Sequence, residues 1–315
     1  MATASSLALR VAGRLGGILV VVWAATTLGF LVLRLIPGDP VDIIMTGITN
    51  ATPELRAEIV HDLGLDRPFL VQYVSYLAAA AAGDLGTSYL RGVEVAPLIF
   101  SELGATVQYA LTTVALAALI AIAIALFTSG RNRAARGLAQ AFELTALSIP
   151  TFWSGLMLIV VFSFTLRLLP AFGAGSFAQL VLPVVTLALP LSGVISQVLR
   201  ERMEHALKEP FVLSSRARGA GEFAVRFRHV ARHGGLATLT LSSTILGAVL
   251  SGSAVLETLF ARPGIGRILV TAVQDRDLPV VSGLIVVISA LFAVINTAVD
   301  LLYPLIDPRL REARA

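Results

Sequence analysis

The stretch LGATVQYALTTVALAALIAIAIALFT, residues 103–128, runs for 26 residues without a charged side chain. About 20 apolar residues are enough to cross the hydrocarbon core of a bilayer as a helix. Within lipid every backbone polar group must be satisfied inside the protein, and a helix satisfies its own. The stretch therefore predicts a membrane-spanning helix and places the chain among integral membrane proteins.

Five further uncharged windows have the same character. Together with the first they predict an all-α polytopic protein of about six spans. The composition agrees, because only 14% of the residues are charged, where a soluble domain carries about a quarter. The window from Leu168 is too long for one helix, so the residues around Gly173–Ser176 are predicted to form a loop leading into it. The five windows are Leu15–Leu33, Leu144–Leu166, Leu168–Leu199, Gly234–Leu256 and Leu278–Val299.

Arginine and lysine near the span ends predict the orientation, since positive charge accumulates on the cytoplasmic side. With both termini in the cytoplasm, 16 of the 24 Lys and Arg residues fall in inner segments, eight of them between Arg200 and Arg232. Both termini are therefore predicted to be cytoplasmic. This topology explains the basic charge without a nucleic-acid partner.

The polar segment 37–102 is predicted to form an extracytoplasmic insert between the first two spans. Residues 1–36 then make up the N-terminus and first span. Residues 103–315 form the transmembrane core, which includes a basic cytoplasmic segment at 200–233 (the basic segment). The insert is either a solvated connector or a docking or gating element over a pathway, since loops of this length are uncommon unless functional.

Capping signals predict two short helices within the insert. In the first, Thr52 caps the helix and Pro53 occupies its first position. The second is expected to repeat this arrangement, with Asp66 ahead of Pro68 and with Gly83 as the stop. Both helices are predicted to pack on the outer membrane surface as a small cap.

Three prolines fall within the third and fourth windows. A proline has no N–H and clashes with the preceding turn, so each is expected to interrupt its span. The three residues are Pro150, Pro183 and Pro190.

Ionisable residues are scarce within the windows, and Arg34, Glu143, Arg167 and Asp300 are all predicted to lie at span ends. A charge at mid-bilayer costs about 2.5–3.5 kcal/mol on insertion scales, and a proton-coupled carrier usually shows several. Such a carrier is disfavoured, so the energy for any transport must come from another protein. Asn296 and Asp300 share a face of the last span and are predicted to form a structural pair that bonds a neighbouring helix.

The sequence contains no enzyme constellation. A phosphate-binding loop requires Gly-Lys-Ser/Thr, but the only lysine, Lys208, is followed by Glu209. His229 and His233 have i, i+4 spacing, but the glutamate base of zinc peptidases is missing between them and arginines flank them. We therefore predict that the chain is not an enzyme and that it binds neither a metal ion nor a cofactor.

The most basic stretch, EPFVLSSRARGAGEFAVRFRHVARHGG (209–235), predicts two short helices at the membrane surface. Pro210 starts the first, Gly219 ends it in the left-handed conformation, and the second begins after Gly221. The two helices either dock in a groove of a partner protein or contact anionic lipid through their arginines. One apolar stripe at i, i+4, i+7 is predicted on the second helix: Phe223, Phe227 and Val230.

Several blocks, in order along nearly the whole chain, resemble the inner-membrane permease subunits of ABC importers for dipeptides, oligopeptides and nickel. The blocks are RLIPGDPV (34–41), LGLDRPFLVQYVSYL (63–77), GDLGTS (83–88), ARPGIGRILV with RDLPVV (261–281), and NTAVDLLYPLIDPRLR (296–311).

The resemblance implies the permease fold of type I ABC importers in a bacterial plasma membrane. It further implies a heterodimer with a second homologous permease and two ATP-binding cassette ATPases that use ATP and magnesium. An extracytoplasmic substrate-binding protein or lipoprotein would deliver the solute. A peptide is the first expectation for that solute, and nickel or another solute of the same family is the alternative.

The resemblance also implies that residues 213–219 form the motif that couples the permease to its ATPase. The usual form is Glu-Ala-Ala, three residues and Gly, and here Leu213 replaces the first residue while Gly219 is kept. The residues implied in ATPase contact are Pro210, Ser214, Ser215, Arg216, Arg218, Gly219, Ala220, Gly221, Glu222, Phe223, Phe227 and Arg228.

A second set of residues is implied in docking of the binding protein or in gating. The turn RPGIG, residues 262–266, is predicted to hold an exposed, rigid corner for that contact, in a loop that runs from Glu257 to Asp277. A purely structural turn is the alternative. The set is Pro37, Gly38, Asp39, Pro40, Gly83, Asp84, Arg262, Pro263, Gly264 and Gly266.

The chain is thus predicted to be the transport subunit of a peptide-importing ABC transporter. Two other classes stay open from the sequence alone. One is a non-transporting membrane scaffold or receptor on the same fold, and the other is an autonomous channel.

Overall fold

The computed structural model describes residues 4–35, 40–45, 52–231, 245–247, 249 and 253–306. The described chain is predominantly helical. The helices are α1 (Ala4–Leu35), α2 (Pro40–Met45), α3 (Pro53–Asp62), α4 (Phe69–Ala81), α5 (Val95–Thr128), α6 (Arg133–Ser148), α7 (Thr151–Leu158), α8 (Phe177–Ala206), α9 (Pro210–Ala217), α10 (Glu222–Ala224), α11 (Ala254–Leu259), α12 (Ile265–Gln274) and α13 (Leu278–Ile306), with π-helical turns at Ile159–Thr165 and Val225–Val230.

Among the described residues, four helices are long and apolar enough to cross a membrane: α1 through Gly13–Val32, then α5, α8, and α13 through Leu278–Ala298. Helix α6 and the helical stretch Thr151–Thr165 pass the same test together, as a pair bent by 99°, which gives up to five. The predicted all-α, multi-span class is confirmed. The predicted window Gly234–Leu256 lies mostly outside the described residues, so the sixth span stays a prediction.

The chain divides into two compact units. The first is drawn from Met1–Gly104 and Gly264–Val294, the second from Ala105–Pro263 and Ile295–Ala315. Helix α5 therefore contributes residues 95–104 to the first unit, and α13 contributes residues 278–294.

The core of the first unit forms where the start of α5, helix α12 and the start of α13 meet. These helices approach closely, because a Cβ added at Gly283 would lie only 2.7 Å from Val95 Cγ1. Burial of aliphatic side chains, about 1.5–3 kcal/mol each, stabilises this packing. The buried cluster comprises Val95, Ile99, Ile265, Ile268, Ala272, Val280, Val281 and Leu284.

The first insert helix is formed by the capping signals that predict it. Thr52 Oγ1 accepts a hydrogen bond from the Leu55 amide at 3.3 Å, and Pro53 is the first residue of α3. Gly64 follows the helix with a φ of +63°, a left-handed conformation that costs glycine little.

The second insert helix begins differently from the prediction. Pro68 takes the cap position of α4 rather than its first helical turn. Asp66 does not cap the helix, because its carboxylate bonds His61 Nδ1 at 3.2 Å, and this bond lowers the pKa of Asp66. Gly83 does mark the stop, with a φ of +83°.

In the second unit the three prolines behave differently from one another. Pro150 separates α6 from α7 at the 99° bend, as predicted. Pro183 and Pro190 lie inside the continuous helix α8, so the predicted interruptions there are wrong. Pro183 cannot bond the carbonyl of Gln179, and Arg262 Nη1 donates to that oxygen at 3.4 Å instead. A neighbouring donor thus satisfies the freed carbonyl, and the helix tolerates the proline.

Candidate functional site

The basic segment folds locally as its sequence predicts. Pro210 occupies the first position of α9, where a missing N–H costs nothing. Gly219 has a φ of +84° and turns the chain after the helix, and the next amide, of Ala220, bonds the Ser215 carbonyl at 3.2 Å. Helix α10 then begins after Gly221.

The predicted single stripe of Phe223, Phe227 and Val230 is wrong. Residues 225–230 form a π-helical turn, which holds more residues than an α turn, so i and i+7 no longer share a face. Val230 is buried, whereas Phe223 and Phe227 are exposed and their rings stack in parallel, 5.9 Å apart.

The buried side of the basic segment packs directly on the ends of two spans. Valines of α9 and of the π-helical turn meet the last turns of α5 and of α8. Because protein interiors are close-packed, a displacement of α9 must displace these span ends as well. The shared cluster comprises Ala125, Leu126, Leu199, Met203, Ala206, Val212, Val225 and Val230.

The opposite side presents three phenylalanines to the surroundings. Phe127, Phe223 and Phe227 are 59%, 57% and 56% exposed, and the rings of Phe127 and Phe223 lie 6.5 Å apart. We call these three residues the aromatic patch. Exposed aromatic groups beside arginines are typical of protein contact surfaces. The sequence prediction missed Phe127, although its place next to the end of an uncharged window was a signal.

Ion pairs join α9 to α10 across the glycine turn. Arg216 Nε donates to Glu222 Oε1 at 2.8 Å and its Nη2 to Oε2 at 3.3 Å. Arg226 is buried and its Nη2 lies 3.4 Å from Glu222 Oε2. Glu222 thus bridges the two helices across the glycine turn.

The residues that the resemblance implied in ATPase contact are mostly accessible. Ser215 differs, because it is buried and its hydroxyl donates to the Phe211 carbonyl at 2.8 Å. Ala220 is half-buried. The exposed members are Pro210, Ser214, Arg216, Arg218, Gly219, Gly221, Glu222, Phe223, Phe227 and Arg228.

A buried ion pair ties α6 to α8 next to the basic segment. Arg200 Nη2 and Nε donate to the two carboxylate oxygens of Glu143 at 2.8 and 3.1 Å, and Ser196 Oγ donates to Glu143 Oε1 at 2.5 Å. Glu143 and Arg200 are only 3% and 7% exposed. A partner 57 residues away thus compensates the charge of Glu143 inside the helix pair, and its predicted place at a span end stays a prediction.

Glycine lets these two helices come close together. A Cβ at Gly193 would lie 3.3 Å from the Glu143 carbonyl oxygen. At the outer edge of the same contact, Glu204 receives Arg136 Nε and Arg200 Nη1, each at 3.4 Å. The spacing of Ser196, Arg200 and Glu204 by four was a signal in the sequence for this polar face.

The residues implied in docking lie in different places in the first unit. Gly83 and Asp84 are exposed, and Asp84 Oδ1 accepts from the Gly86 amide at 2.8 Å. Gly264 and Gly266 are buried at the start of α12. Pro40 begins α2, and Pro37, Gly38 and Asp39 lie outside the described residues.

In the second unit, the predicted exposed corner at 262–266 is wrong for its first residue. Arg262 is 2% exposed and donates from Nη1 to the carbonyls of Gly173 and Gln179, each at 3.4 Å. Its guanidinium carbon lies 5.9 Å from the centre of the Tyr109 ring. Burial lowers the pKa of Arg262. Pro263 is half-buried. Arg262 therefore holds the turn to the chain around the start of α8, and the docking role of the turn stays a prediction.

Both acidic ends of the predicted docking loop are also buried. Glu257 Oε1 accepts from Thr106 Oγ1 at 2.8 Å and from Ser253 Oγ at 3.0 Å. Asp277, in the first unit, accepts from the Ser88 hydroxyl and from the Tyr89 amide at 3.2 Å. The loop is thus a folded part of each unit rather than a free connector.

The predicted pair near the end of the last span stays a prediction. Asn296 and Asp300 are four residues apart on α13, but the side chain of Asp300 lies outside the described part of the chain. Within the described residues, no group of three or more His, Cys, Asp or Glu could hold a metal ion.

Comparison with known proteins gives a consistent family. Residues 117–312 match the model of the binding-protein-dependent transport system inner membrane component, and residues 8–110 match the model of its N-terminal region. A probable peptide ABC transporter permease of Sinorhizobium fredii is 36% identical over 90% of this chain and 92% of its own length.

Two further relatives are similar over nearly their whole length. The di/tripeptide transport system permease protein DppB of Pseudomonas aeruginosa is 33% identical, over 96% of this chain and 99% of its own. The glutathione transport system permease protein GsiC of Escherichia coli is 33% identical, over 95% and 97%.

Proposed function

This chain belongs to the family of binding-protein-dependent transport system inner membrane components, and we propose that it forms half of the pathway of a peptide importer. It is a multi-pass protein of the bacterial inner membrane and a permease subunit of an ABC importer, without an ATP-binding cassette of its own. The names of its relatives, which concern peptides, dipeptides and glutathione, support a peptide as the solute.

An importer permease of this family works with ATPase and substrate-binding partners. We propose a second, homologous permease as the other half of the pathway and two ATPases that bind ATP with magnesium. In this arrangement both termini and the basic segment face the cytoplasm. The insert 37–102 faces outward, where a substrate-binding protein delivers the peptide.

One observation carries the proposed coupling: the basic segment is packed against two spans on one side and exposes an aromatic patch on the other. Phe127, Phe223 and Phe227 supply the surface for the ATPase. The valines behind them pass a displacement to the ends of α5 and α8. When ATP binding closes the ATPases, the resulting displacement thus reaches the spans through rigid packing rather than through a flexible loop.

The Glu143–Arg200 pair extends this path along α8. Arg200 precedes Met203 of the shared cluster by less than one turn, and its partner Glu143 lies on α6. A buried ion pair of good geometry favours one arrangement of its two helices. Helices α6 and α8 are therefore proposed to move together when the ATPases push on α9.

On the outer side, Gly83 and Asp84 are the accessible members of the proposed docking set. Arg262, Gly264 and Gly266 are buried, so we assign them to the support of the units rather than to the docking surface. Pro37, Gly38, Asp39 and Pro40 remain part of the proposed docking set.

Replacement of Gly219 tests the proposed function. Arginine at this position adds a long cation to the exposed turn and also meets the left-handed φ of +84°, which costs a residue with a Cβ about 1–2 kcal/mol. Among the described residues, its two chain neighbours aside, no atom lies within 4 Å of the added Cβ, so the added side chain projects away from the described part of this chain. In a complex with the neighbouring permease, ATPases and binding protein, Gly219→Arg is expected to lower ATPase recovery and ATP-driven peptide uptake by about tenfold or more.

Gly219→Asn is the matched control, because asparagine adopts the left-handed conformation readily and adds little bulk. It is expected to keep most of the uptake. Recovery of the second permease, measured in both variants, reports whether the membrane core still assembles. If Gly219→Arg keeps ATPases, hydrolysis and uptake unchanged, the basic segment is a lipid-facing loop and the proposed coupling is wrong.

The aromatic patch gives a second test of the same contact. Phe223→Ser removes an exposed ring, so the chain should fold as before while the ATPases dissociate more readily, by about tenfold in affinity. Phe172→Ser is the control, since Phe172 is 52% exposed but lies in the turn before α8, on the proposed outer side. Equal ATPase recovery from both variants would exclude the patch from the contact.

A further inference from the structure

Helix α4 of the insert packs on the first span through an aromatic face. The Phe30 ring lies 5.6, 5.4 and 5.3 Å from the rings of Phe69, Tyr73 and Tyr76. The hydroxyls of Tyr73 and Thr27 are 2.7 Å apart. Helix α4 is thus held beside the last turns of α1.

The side of α4 turned away from α1 is entirely apolar. At 100° per residue, six positions share an arc of about 120° that contains no polar side chain. Leu70 and Val74 on this arc are 70% and 61% exposed, and Val71 is exposed as well. The arc consists of Leu70, Val71, Val74, Leu77, Ala78 and Ala81, and we call it the outer face of α4.

The polar residues of α4 lie on a third side. Gln72 and Ser75, with Tyr76 and Ala79, line a cavity of about 1030 Å³ within the first unit. Arg34, at the end of α1, also lines this cavity and bonds the Gln72 side chain. Helix α4 therefore has one side that lines the cavity, which we call the wet side, and one apolar side, the outer face. The side that contacts α1 lies between these two.

The contacts with α1 define the depth of α4 in the membrane. The apolar span within α1 runs through Gly13–Val32, and α4 touches it from Thr27 to Phe30, inside that span. The neighbouring side chains of α1, among them Leu28 and Val32, are apolar and exposed. The outer face of α4 is thus at the same level as the exposed apolar surface of α1.

The end of the contact has the composition of a membrane interface. Arg34 lies 4.7 Å from the Phe30 ring centre and 5.4 Å from that of Phe69. Tyr73 and Tyr76 pack on the same Phe30 ring, and tyrosines are enriched at the headgroup level of a membrane. Helix α4 has 13 residues, about 20 Å in length, which is too short to cross the hydrocarbon.

We propose that α4 is an interfacial helix whose outer face is buried in the outer leaflet of the bilayer. Its occupant is lipid, because the face is uncharged and continues the lipid-covered surface of α1. The insert is then anchored in the membrane plane beside the first span, rather than resting on the surface as a solvated cap. The wet side of α4 keeps its cavity open toward water at the headgroup level.

The sequence makes a direct test simple, since the chain has no cysteine. Single-cysteine variants on the outer face (Val74→Cys, Ala78→Cys) are paired with neighbours on the wet side (Ser75→Cys, Ala79→Cys). Each is carried by the assembled importer, with partner cysteines replaced, in phosphatidylcholine vesicles. One portion receives a polarity-sensitive fluorophore and is measured with and without brominated acyl chains. The other is exposed to a charged, membrane-impermeant maleimide.

Lipid burial predicts that bromine lowers fluorescence by about twofold or more at Val74→Cys and Ala78→Cys, and that the impermeant reagent leaves them unlabelled. Ser75→Cys and Ala79→Cys should show the reverse. The proposal is overturned if the outer-face positions react as fast as Ser75→Cys. It is equally overturned if they are protected from the reagent but not quenched, because a protein partner then covers the face.

Discussion

Arg200→Met is expected to destabilise the protein more than any other single change considered for this chain. It leaves the Glu143 carboxylate buried with the Ser196 hydroxyl as its remaining partner in the pair's network. Breaking a buried ion pair in this way costs about 3–5 kcal/mol. Thermal unfolding of the assembled importer in lipid nanodiscs should show an earlier transition, and peptide uptake should fall relative to ATP hydrolysis because α6 and α8 no longer move together.

Two comparisons separate the pair from a general effect of a lost arginine. Arg136→Met removes an arginine whose side chain is 46% exposed and whose pairing with Glu204 is at 3.4 Å, so it should cost less than about 1 kcal/mol. The double change Glu143→Leu with Arg200→Met removes both charges, and should recover much of the lost stability. If the double variant is no more stable than Arg200→Met, an uncompensated Glu143 is not the cause of the loss.

The features that the sequence predicted well depend on neighbours along the chain. Uncharged windows can be recognised from composition alone, because a charge buried in lipid is costly. These windows locate α1, α5, α8 and α13. The turn at Gly219 can be predicted from the residue type alone, because glycine adopts a positive φ at little cost. The family resemblance likewise rests on local blocks, and the family matches confirm it.

Several features that the sequence did not predict involve partners far away in sequence. Pro183 does not interrupt α8, because Arg262, 79 positions later, reaches the carbonyl that the proline leaves free. Burial of Arg262 itself depends on Tyr109 and on the turn at Gly173, which no local signal connects to RPGIG. The burial of Glu143 likewise depends on Arg200, 57 positions later.

The error about the apolar stripe of the basic segment has a local cause, which the 3.6-residue helical period does not show. The π-helical turn at Val225–Val230 shifts the register, so Val230 turns inward while Phe227 stays outside. A helical wheel assumes 3.6 residues per turn and cannot show this shift. The shift is functionally important in the proposed mechanism, because it separates the aromatic patch from the valines that pack on α5 and α8.

Asp277→Ala is expected to have the second large effect, on the outer part of the first unit. The buried Asp277 carboxylate accepts from the buried Ser88 hydroxyl and from the Tyr89 amide at 3.2 Å. Alanine leaves both donors without this acceptor, and each unsatisfied buried group costs about 1–3 kcal/mol. The loop after Gly83 and Asp84, proposed to receive the binding protein, is then no longer fixed to the residue that precedes α13.

The expected result is faster amide hydrogen exchange across residues 84–94 and a loss of the ATPase stimulation that the loaded binding protein produces, with basal hydrolysis retained. Asp84→Ala is the matched control in the same loop, because Asp84 is exposed and its Oδ1 accepts from the Gly86 amide at 2.8 Å. That variant should leave exchange at Ser88 and Tyr89 unchanged. Normal stimulation in Asp277→Ala, despite faster exchange, would mean that the loop is not part of the docking surface. Unchanged exchange would mean that Asp277 does not hold the loop at all.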